Sequence, residues 1–477
     1  MINFKKVALA ATCTAMLGGV SGVVTTANAA NWLMLQGTEK PGAAPRAKLW
    51  GFIQPTYLSV DGTKLPSNLT GGAAGFAGHR GQFNVHQPDL SSESTFQVQR
   101  ARIGVRGTAM PLDSNVNYFI LAELGNNGIT QPGGGSGSVK LTDATVTLNH
   151  IKGMRVRVGQ MKVPMSEEVY QGIMTFNYVN FTNMANQQMI ERPFWTDGAT
   201  ACNKNTSHSN YLRYCNGDAQ QQFRSSAVAV RDTGIQLFDT FKSDNGWEHS
   251  YALLYGNGGA NKDNRDGEFD TSVYWSSEKV FGGKGPWRDH MKMFAWSTSG
   301  KRTLLDSATL NAGGSIESAE TLYDRKLSGI GFIYQKNKFR FWTELSQAEG
   351  MIFTGSTAGS VPGDVHNNGL VVSQFQLTPT GESDGGYVDF GYKITPKIEL
   401  DVRYDWYNRV TNKTAADERK YETVTLGMQY RFNKKTKMMV NYEMRDLEAP
   451  GQAATANANL IGAAIDDKLS AQLFVLF

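Results

Sequence analysis

The chain ends Leu469-Ser470-Ala471-Gln472-Leu473-Phe474-Val475-Leu476-Phe477, and this ending constrains its fold more than any other segment. Leu469, Ala471, Leu473, Val475 and Phe477 share one face of an extended strand, and Ser470 and Gln472 lie on the other. Side chains alternate across a strand with period two. Phe474 and Leu476 break the alternation near the end. One greasy face and one wet face suit the last buried strand of a soluble β protein. They also suit a strand with lipid on one side and water on the other. The start of the chain separates the two.

Lys5 and Lys6 form a positive n-region, Val7 to Val24 is largely apolar, and Ala27-Asn28-Ala29 reads as a small-residue cleavage site. This is the pattern of an export signal over residues 1–29, with the mature chain expected to begin near Ala30. Cys13 lies inside the signal without a lipoprotein box, so no lipid anchor is expected. Beyond the signal there is no apolar run of about 18 residues, which excludes a membrane-spanning helix by pattern. Removing Lys5 and Lys6 takes the formal charge from +4 to +2, a balance that argues against a nucleic-acid partner. Two cysteines remain, Cys202 and Cys215. In an oxidising envelope they are expected to pair, which would contribute roughly 3 kcal/mol through loop entropy. With only His208 nearby they make an incomplete zinc set.

Sixteen segments carry period-two patterning: Lys48–Val60, Phe96–Thr108, Asn115–Leu124, Val139–His150, Met154–Met161, Thr233–Phe241, Trp247–Gly256, Asp270–Val280, His290–Ser299, Lys326–Gln335, Lys338–Ala348, Gly385–Ile394, Lys397–Arg409, Tyr421–Phe432, Thr436–Arg445 and Asp466–Phe477. Their connections alternate between short turns, such as Ile151–Gly153, and long loops rich in Gly, Asn, Ser and Asp. A soluble sandwich does not explain why one end of every hairpin is short. A closed transmembrane barrel does, because lipid tolerates no unpaired sheet edge. The predicted fold is therefore an all-β, sixteen-stranded antiparallel transmembrane barrel spanning residues 48–477. Residues 30–47 form a periplasmic N-terminal segment, and both ends lie in the periplasm.

Arginine facing lipid costs roughly 2–4 kcal/mol at the midplane. Arg100, Arg102 and Arg106 share one strand face, so they are predicted to face the lumen, as are Arg155 and Arg157. None has an acid on the same face of its own strand. Late in the chain Glu399, Asp401, Arg403, Asp405 and Arg409 face inward, while Ile398, Leu400, Val402, Tyr404 and Trp406 face lipid. Arg403 and Arg409, beside acids of their own strand, read as salt-bridge partners. The five early arginines read as an ion-facing wall, and such ladders favour anions. Sixteen strands leave an aqueous bore, which something must narrow. The longest segment without strand pattern, about 163–226, is the expected constriction. It holds Pro164, a short helix expected around Ser166–Gly172, and the aromatics Phe176, Tyr178, Phe181, Phe194 and Trp195. Lys162 stands at its start.

The strand Arg100-Ala101-Arg102-Ile103-Gly104-Val105-Arg106-Gly107 and the segment Val156-Arg157-Val158-Gly159-Gln160-Met161-Lys162-Val163-Pro164 resemble the phosphate-selective porin O and P family of outer-membrane porins. Ile190-Glu191-Arg192-Pro193, Arg231-Asp232-Thr233-Gly234-Ile235-Gln236-Leu237 and Tyr255-Gly256-Asn257-Gly258 add to the resemblance. More generally, a closing strand that ends in Phe looks like that of a bacterial outer-membrane β-barrel. It implies a homotrimer in the outer membrane of a Gram-negative bacterium, with the third loop inside the pore and arginines along the wall. Its partners would be outer-membrane lipid, the barrel-assembly machinery through the Phe477 strand, and small ions or anions as permeant solutes. Phosphate binders of the family use loop lysines, whereas this loop carries only Lys162 and Lys204.

No enzyme is read here. His86, His150, His208, His249, His290 and His366 are scattered, with no nucleophile–base spacing. Lys262-Asp263-Asn264-Arg265-Asp266-Gly267-Glu268 fails the calcium-loop pattern at its first ligand and at its closing Glu. No metal or cofactor is expected. The other reading is a barrel that sheathes a partner, such as an electron-transfer cytochrome. The chain lacks a Cys-x-x-Cys-His site, so any haem would belong to that partner.

Overall fold

The structure is a computed structural model that describes residues 32–35, 38–39, 46–61, 64–78, 80–81, 94–109, 112–125, 139–190, 230–243, 245–258, 267–283, 285, 287–310, 316–355, 365–367, 370–371, 376–415 and 417–477. The export signal, Cys202, Cys215, Lys204 and most of segment 262–268 lie outside the described residues.

Sixteen antiparallel strands close into one barrel. They are β1 Lys48–Val60, β2 Ser94–Ala109, β3 Asp113–Glu123, β4 Lys140–Ile151, β5 Met154–Lys162, β6 Arg231–Lys242, β7 Trp247–Gly256, β8 Asp270–Gly282, β9 Asp289–Leu310, β10 Ile316–Lys336, β11 Phe339–Glu349, β12 Glu382–Lys393, β13 Ile398–Arg409, β14 Arg419–Arg431, β15 Thr436–Glu448 and β16 Lys468–Leu476. Each strand pairs with its neighbours in sequence, and β16 returns to β1 from Val60↔Lys468 to Phe52↔Leu476. Beyond that ladder the Phe477 N–H donates to Gly51 O at 2.9 Å, and Gly51 N–H donates to Phe477 O at 3.2 Å. Pro55 stands where the β1–β2 register shifts. At a bulge its missing N–H forfeits no ladder bond.

The connections β2–β3, β4–β5, β6–β7, β8–β9, β10–β11, β12–β13 and β14–β15 are short and lie at one end, and at the other end only β9–β10 is joined as briefly, by residues 311–315. Gly153 (φ 81°) and Gly246 (φ 80°) supply the left-handed backbone that two of these turns need. All sixteen expected segments fall on observed strands. The largest difference is the β9–β10 hairpin, whose strands run 22 and 21 residues and pair as far as Leu310↔Ile316. The period-two pattern ends at Ser299 and resumes at Lys326. About 10 residues cross the hydrocarbon. Beyond it nothing demands alternation, so the outer half of this hairpin left no period-two signal. Two small sheets in the loops were also invisible to the pattern. Ile352–Gly355 pairs with Gln376–Thr378, and Val365–Asn367 joins both Leu370–Val371 and Arg80–Gly81.

On β13 Leu400, Val402 and Tyr404 are exposed on the outer wall, and Glu399, Asp401, Arg403, Asp405 and Arg409 are buried on the inner one. Residues 163–190, between β5 and β6, lie inside the barrel. Met165, Val169, Tyr170, Met184, Met189 and Ile190 pack with inward Phe238, Tyr274, Phe294, Trp296 and Trp342 as one buried apolar cluster. Glycines make room for these rings: a Cβ at Gly329 would stand 2.6 Å from Trp296, and one at Gly331 would stand 2.2 Å from Phe294. At about 25 cal/mol per Å² of apolar surface, such a cluster docks the loop firmly to the wall.

Candidate functional site: the filled lumen

The inward loop is fixed from both sides of the bore. Its helix is one turn, Glu167–Tyr170, shorter than the Ser166–Gly172 expected. Glu167 accepts from Tyr274 Oη on β8 (3.0 Å) and from Lys292 Nζ on β9 (2.7 Å). Ser166 Oγ donates to Glu344 on β11 at 3.1 Å. On the far side Tyr178 Oη donates to Asp389 on β12 at 2.7 Å, and Val179 N–H to Asn441 on β15 at 2.7 Å. Asn180 Nδ2 reaches Glu443 at 2.7 Å and Ser470 on β16 at 3.0 Å. Charge-assisted bonds of this kind are worth about 1.5–3 kcal/mol each. A loop making several of them across the bore is a fixed part of the lumen. Burial pushes the Glu168 carboxyl above the usual range, against the pull of Arg403 and of hydrogen bonds from Thr182.

The five arginines do face inward, and the structure corrects their isolation. Arg102 Nε lies 2.7 Å from Glu123 on β3. Arg155 pairs with Asp239 on β6, and Arg106 with Glu39. Arg157 donates to Gln236 Oε1 (2.9 Å) and to the Leu33 carbonyl (3.0 Å). Arg100 donates to Gln54 Oε1 at 3.2 Å and lies over the Phe176 and Phe181 rings at 5.9 and 6.0 Å. Arg100, Arg102 and Arg157 are buried. The pairing acids sit on neighbouring strands or on the N-terminal segment, and reading one strand at a time cannot see them.

That segment is the feature sequence reasoning missed. The sequence pattern makes residues 30–47 a periplasmic N-terminal segment; in the structure Trp32–Leu35 is a helical turn whose Leu33 is buried among the inward cluster. Met34 Sδ lies 3.8 Å from Arg155 Nη1. Leu33, Met34 and Glu39 thus touch three of the five arginines. The hydrophobic Trp32-Leu33-Met34-Leu35, just past the expected cleavage site, was the available signal.

The remaining site residues are also engaged. Lys162 Nζ donates to the carbonyls of Val169 (3.0 Å), Tyr170 (3.4 Å) and Gln171 (2.9 Å), so it ties the loop's first turn. Glu399 lies 2.8 Å from Arg340 Nε, and Asp401 and Asp389 pair with the same guanidinium. Asp405 accepts the Asn183 N–H at 2.7 Å, and Arg403 lies over the Tyr178 ring at 4.3 Å. Among the described residues no group of His, Cys, Asp and Glu could hold a metal ion.

The family resemblance is matched independently: the model of the phosphate-selective porin O and P family fits residues 73–211. A second family model, the OmpA-like transmembrane domain, fits residues 376–436. No curated protein matches. Solved structures that resemble the chain include a loop-deleted OmpT of Vibrio cholerae (10% identity, covering 91% of this chain and 100% of that one, TM-score 0.48). An OmpF from Salmonella typhi in complex with daunomycin gives 12%, 90%, 97% and 0.47. An anion-selective porin from Comamonas acidovorans gives 14%, 90%, 99% and 0.45. The chain is a closed sixteen-stranded barrel of outer-membrane type, and over residues 73–211 it resembles the phosphate-selective porins O and P.

Proposed function

We propose that this porin is a narrow diffusion channel for small hydrophilic solutes and ions, with a weak to moderate preference for anions. The observation that carries the preference is the inward row of Arg100, Arg102, Arg106, Arg155 and Arg157. Arginine stays charged at any working pH, and charge in a confined, poorly screened bore acts strongly. Direct pairing of three of the five with Glu123, Glu39 and Asp239 keeps the preference modest. A general anion preference fits better than a phosphate site, because the loop's Lys162 spends its ammonium on backbone carbonyls. The family resemblance supports a homotrimer and insertion through the Phe477 strand. The expected Cys202–Cys215 disulfide would brace the outer part of the loop. A loop anchored across the bore argues against a sheath for a threaded cytochrome.

The test is single-channel recording in a planar bilayer under a salt gradient. The wild type should give an anion-favouring reversal potential. The double variant Arg102→Ala/Arg157→Ala should move it toward cations with the barrel still folded. An unchanged reversal potential would place the arginines off the conducting path.

A further inference from the structure

Where the far side of the inward loop meets the closing strands, three polar side chains converge that the arginine row does not use. Lys468 opens β16 directly opposite Glu443 on β15. Both are buried, Lys468 at 0% and Glu443 at 4% exposure. Opposite charges facing each other across a ladder ordinarily pair. Among the described residues these two form no ion pair, and the side-chain amide of Asn180 takes the place of one. Lys468 Nζ donates to Asn180 Oδ1 at 3.3 Å, and Asn180 Nδ2 donates to Glu443 Oε1 at 2.7 Å. Asn180 is itself held in place. Its backbone carbonyl accepts from Nη1 and Nη2 of Arg403 at 3.3 Å, and its Nδ2 also reaches Ser470 Oγ at 3.0 Å. The preceding Val179 is fixed by its N–H bond to Asn441.

An amine, a primary amide and a carboxyl group gathered in a buried site are the reactants of an amide exchange. We propose that Lys468 and Asn180 join through an isopeptide bond between their side chains, with Glu443 carrying the proton. Lys468 attacks as the free amine, on a flexible stem that can move from Oδ1 onto Cγ. The Nζ–Cγ bond forms, and the electron pair of the C=O bond moves onto Oδ1. In that tetrahedral intermediate both nitrogens sit on Cγ, so the carboxyl group that holds Nδ2 is within reach of Nζ. Glu443 takes the proton that Nζ sheds and delivers it to Nδ2. The C=O bond re-forms, the Cγ–Nδ2 bond breaks, and ammonia leaves. Nothing is oxidised or reduced. Holding the reactants together makes the step unimolecular, and exclusion of water protects the product from hydrolysis. The product also replaces a buried amine, whose one partner is a neutral oxygen, by an uncharged amide. It ties the inward loop covalently to the strand that closes the barrel.

The experiment is mass spectrometry of the mature protein purified from outer membranes and fully reduced. The intact chain should be lighter than its sequence by one ammonia. Digestion should yield a branched peptide that joins Lys468 to Asn180, and neither residue should be recovered in a linear peptide. Glu443→Gln keeps the shape of the site and removes the proton carrier. Followed during refolding in detergent, its branched peptide should form about a hundredfold more slowly, the low end for lost general acid–base catalysis. Its heat-modifiable mobility should be retained. Lys468 and Asn180 in separate linear peptides of the wild type overturn the proposal, and that result needs no variant to fold. A mass deficit that maps to any other residue overturns it as well. A branched peptide that forms at the wild-type rate in Glu443→Gln overturns the role given to Glu443. None of these outcomes depends on what the channel conducts.

Discussion

Arg102 and Glu123 stand directly opposite each other on β2 and β3, with Arg102 Nε 2.7 Å from the carboxylate. The same carboxylate accepts the N–H of Ala101 at 2.9 Å and of Gly125 at 2.8 Å. Glu123 therefore both neutralises the arginine row and ends the β2–β3 hairpin on its loop side.

Glu123→Gln should separate these roles. The amide can still accept a backbone N–H, but it leaves Arg102 without its counter-charge. The reversal potential should move toward anions, opposite to Arg102→Ala. Stability should fall by about 2 kcal/mol, the scale of a hydrogen bond to a charged group. An unmoved reversal potential would show that Arg102 is screened from the permeating ions.

The closing seam yields a second prediction. A Cβ at Gly51 would stand 2.5 Å from Phe477 Cζ and 2.6 Å from the Arg102 carbonyl. Gly51→Val should force the terminal ring and the β1–β2 backbone apart, at about 1–3 kcal/mol for overpacking. The expected readout is a smaller heat-modifiable fraction on a semi-native gel. Normal assembly would mean that the seam relaxes around the added methyls.

Strand number, direction and facing were legible because lipid enforces alternation on every spanning segment, as Leu400, Val402 and Tyr404 against Asp401, Arg403 and Asp405 show. What lies inside the barrel was not. Nothing periodic marks Val179 as a partner of Asn441, or Asn183 as a partner of Asp405, since residues more than 200 positions apart meet only after closure. Arg155, Arg157 and Arg106 looked unopposed for the same reason. Their partners Asp239, Gln236 and Glu39 come from another strand or from the N-terminal segment.

Tyr178 tests how firmly the loop is held. Its hydroxyl bonds Asp389, and its ring lies beneath Arg403 at 4.3 Å. A desolvated cation–π contact is worth about 2 kcal/mol and the hydrogen bond to a carboxylate about as much. Tyr178→Ala should loosen the loop around this position while leaving the strand pairing intact. Single-channel conductance and open-channel noise should both rise while the folded fraction stays constant. Wild-type noise and conductance in this variant would show that the remaining anchors suffice.

The N-terminal segment gives the last prediction. Leu33 is buried against the inward wall, its carbonyl takes the Arg157 guanidinium, and Glu39 takes Arg106. These contacts fill space in the bore and cancel positive charge in the same place. Deleting residues 32–39, with the export signal and its cleavage site left intact, removes both effects at once. Conductance should rise, and the reversal potential should move further toward anions as Arg106 and Arg157 become available. Glu39→Gln removes only the charge, so it should shift selectivity with little change in conductance. That difference between the two variants separates occlusion from neutralisation. If the deletion changes neither quantity, the segment does not lie on the conducting path.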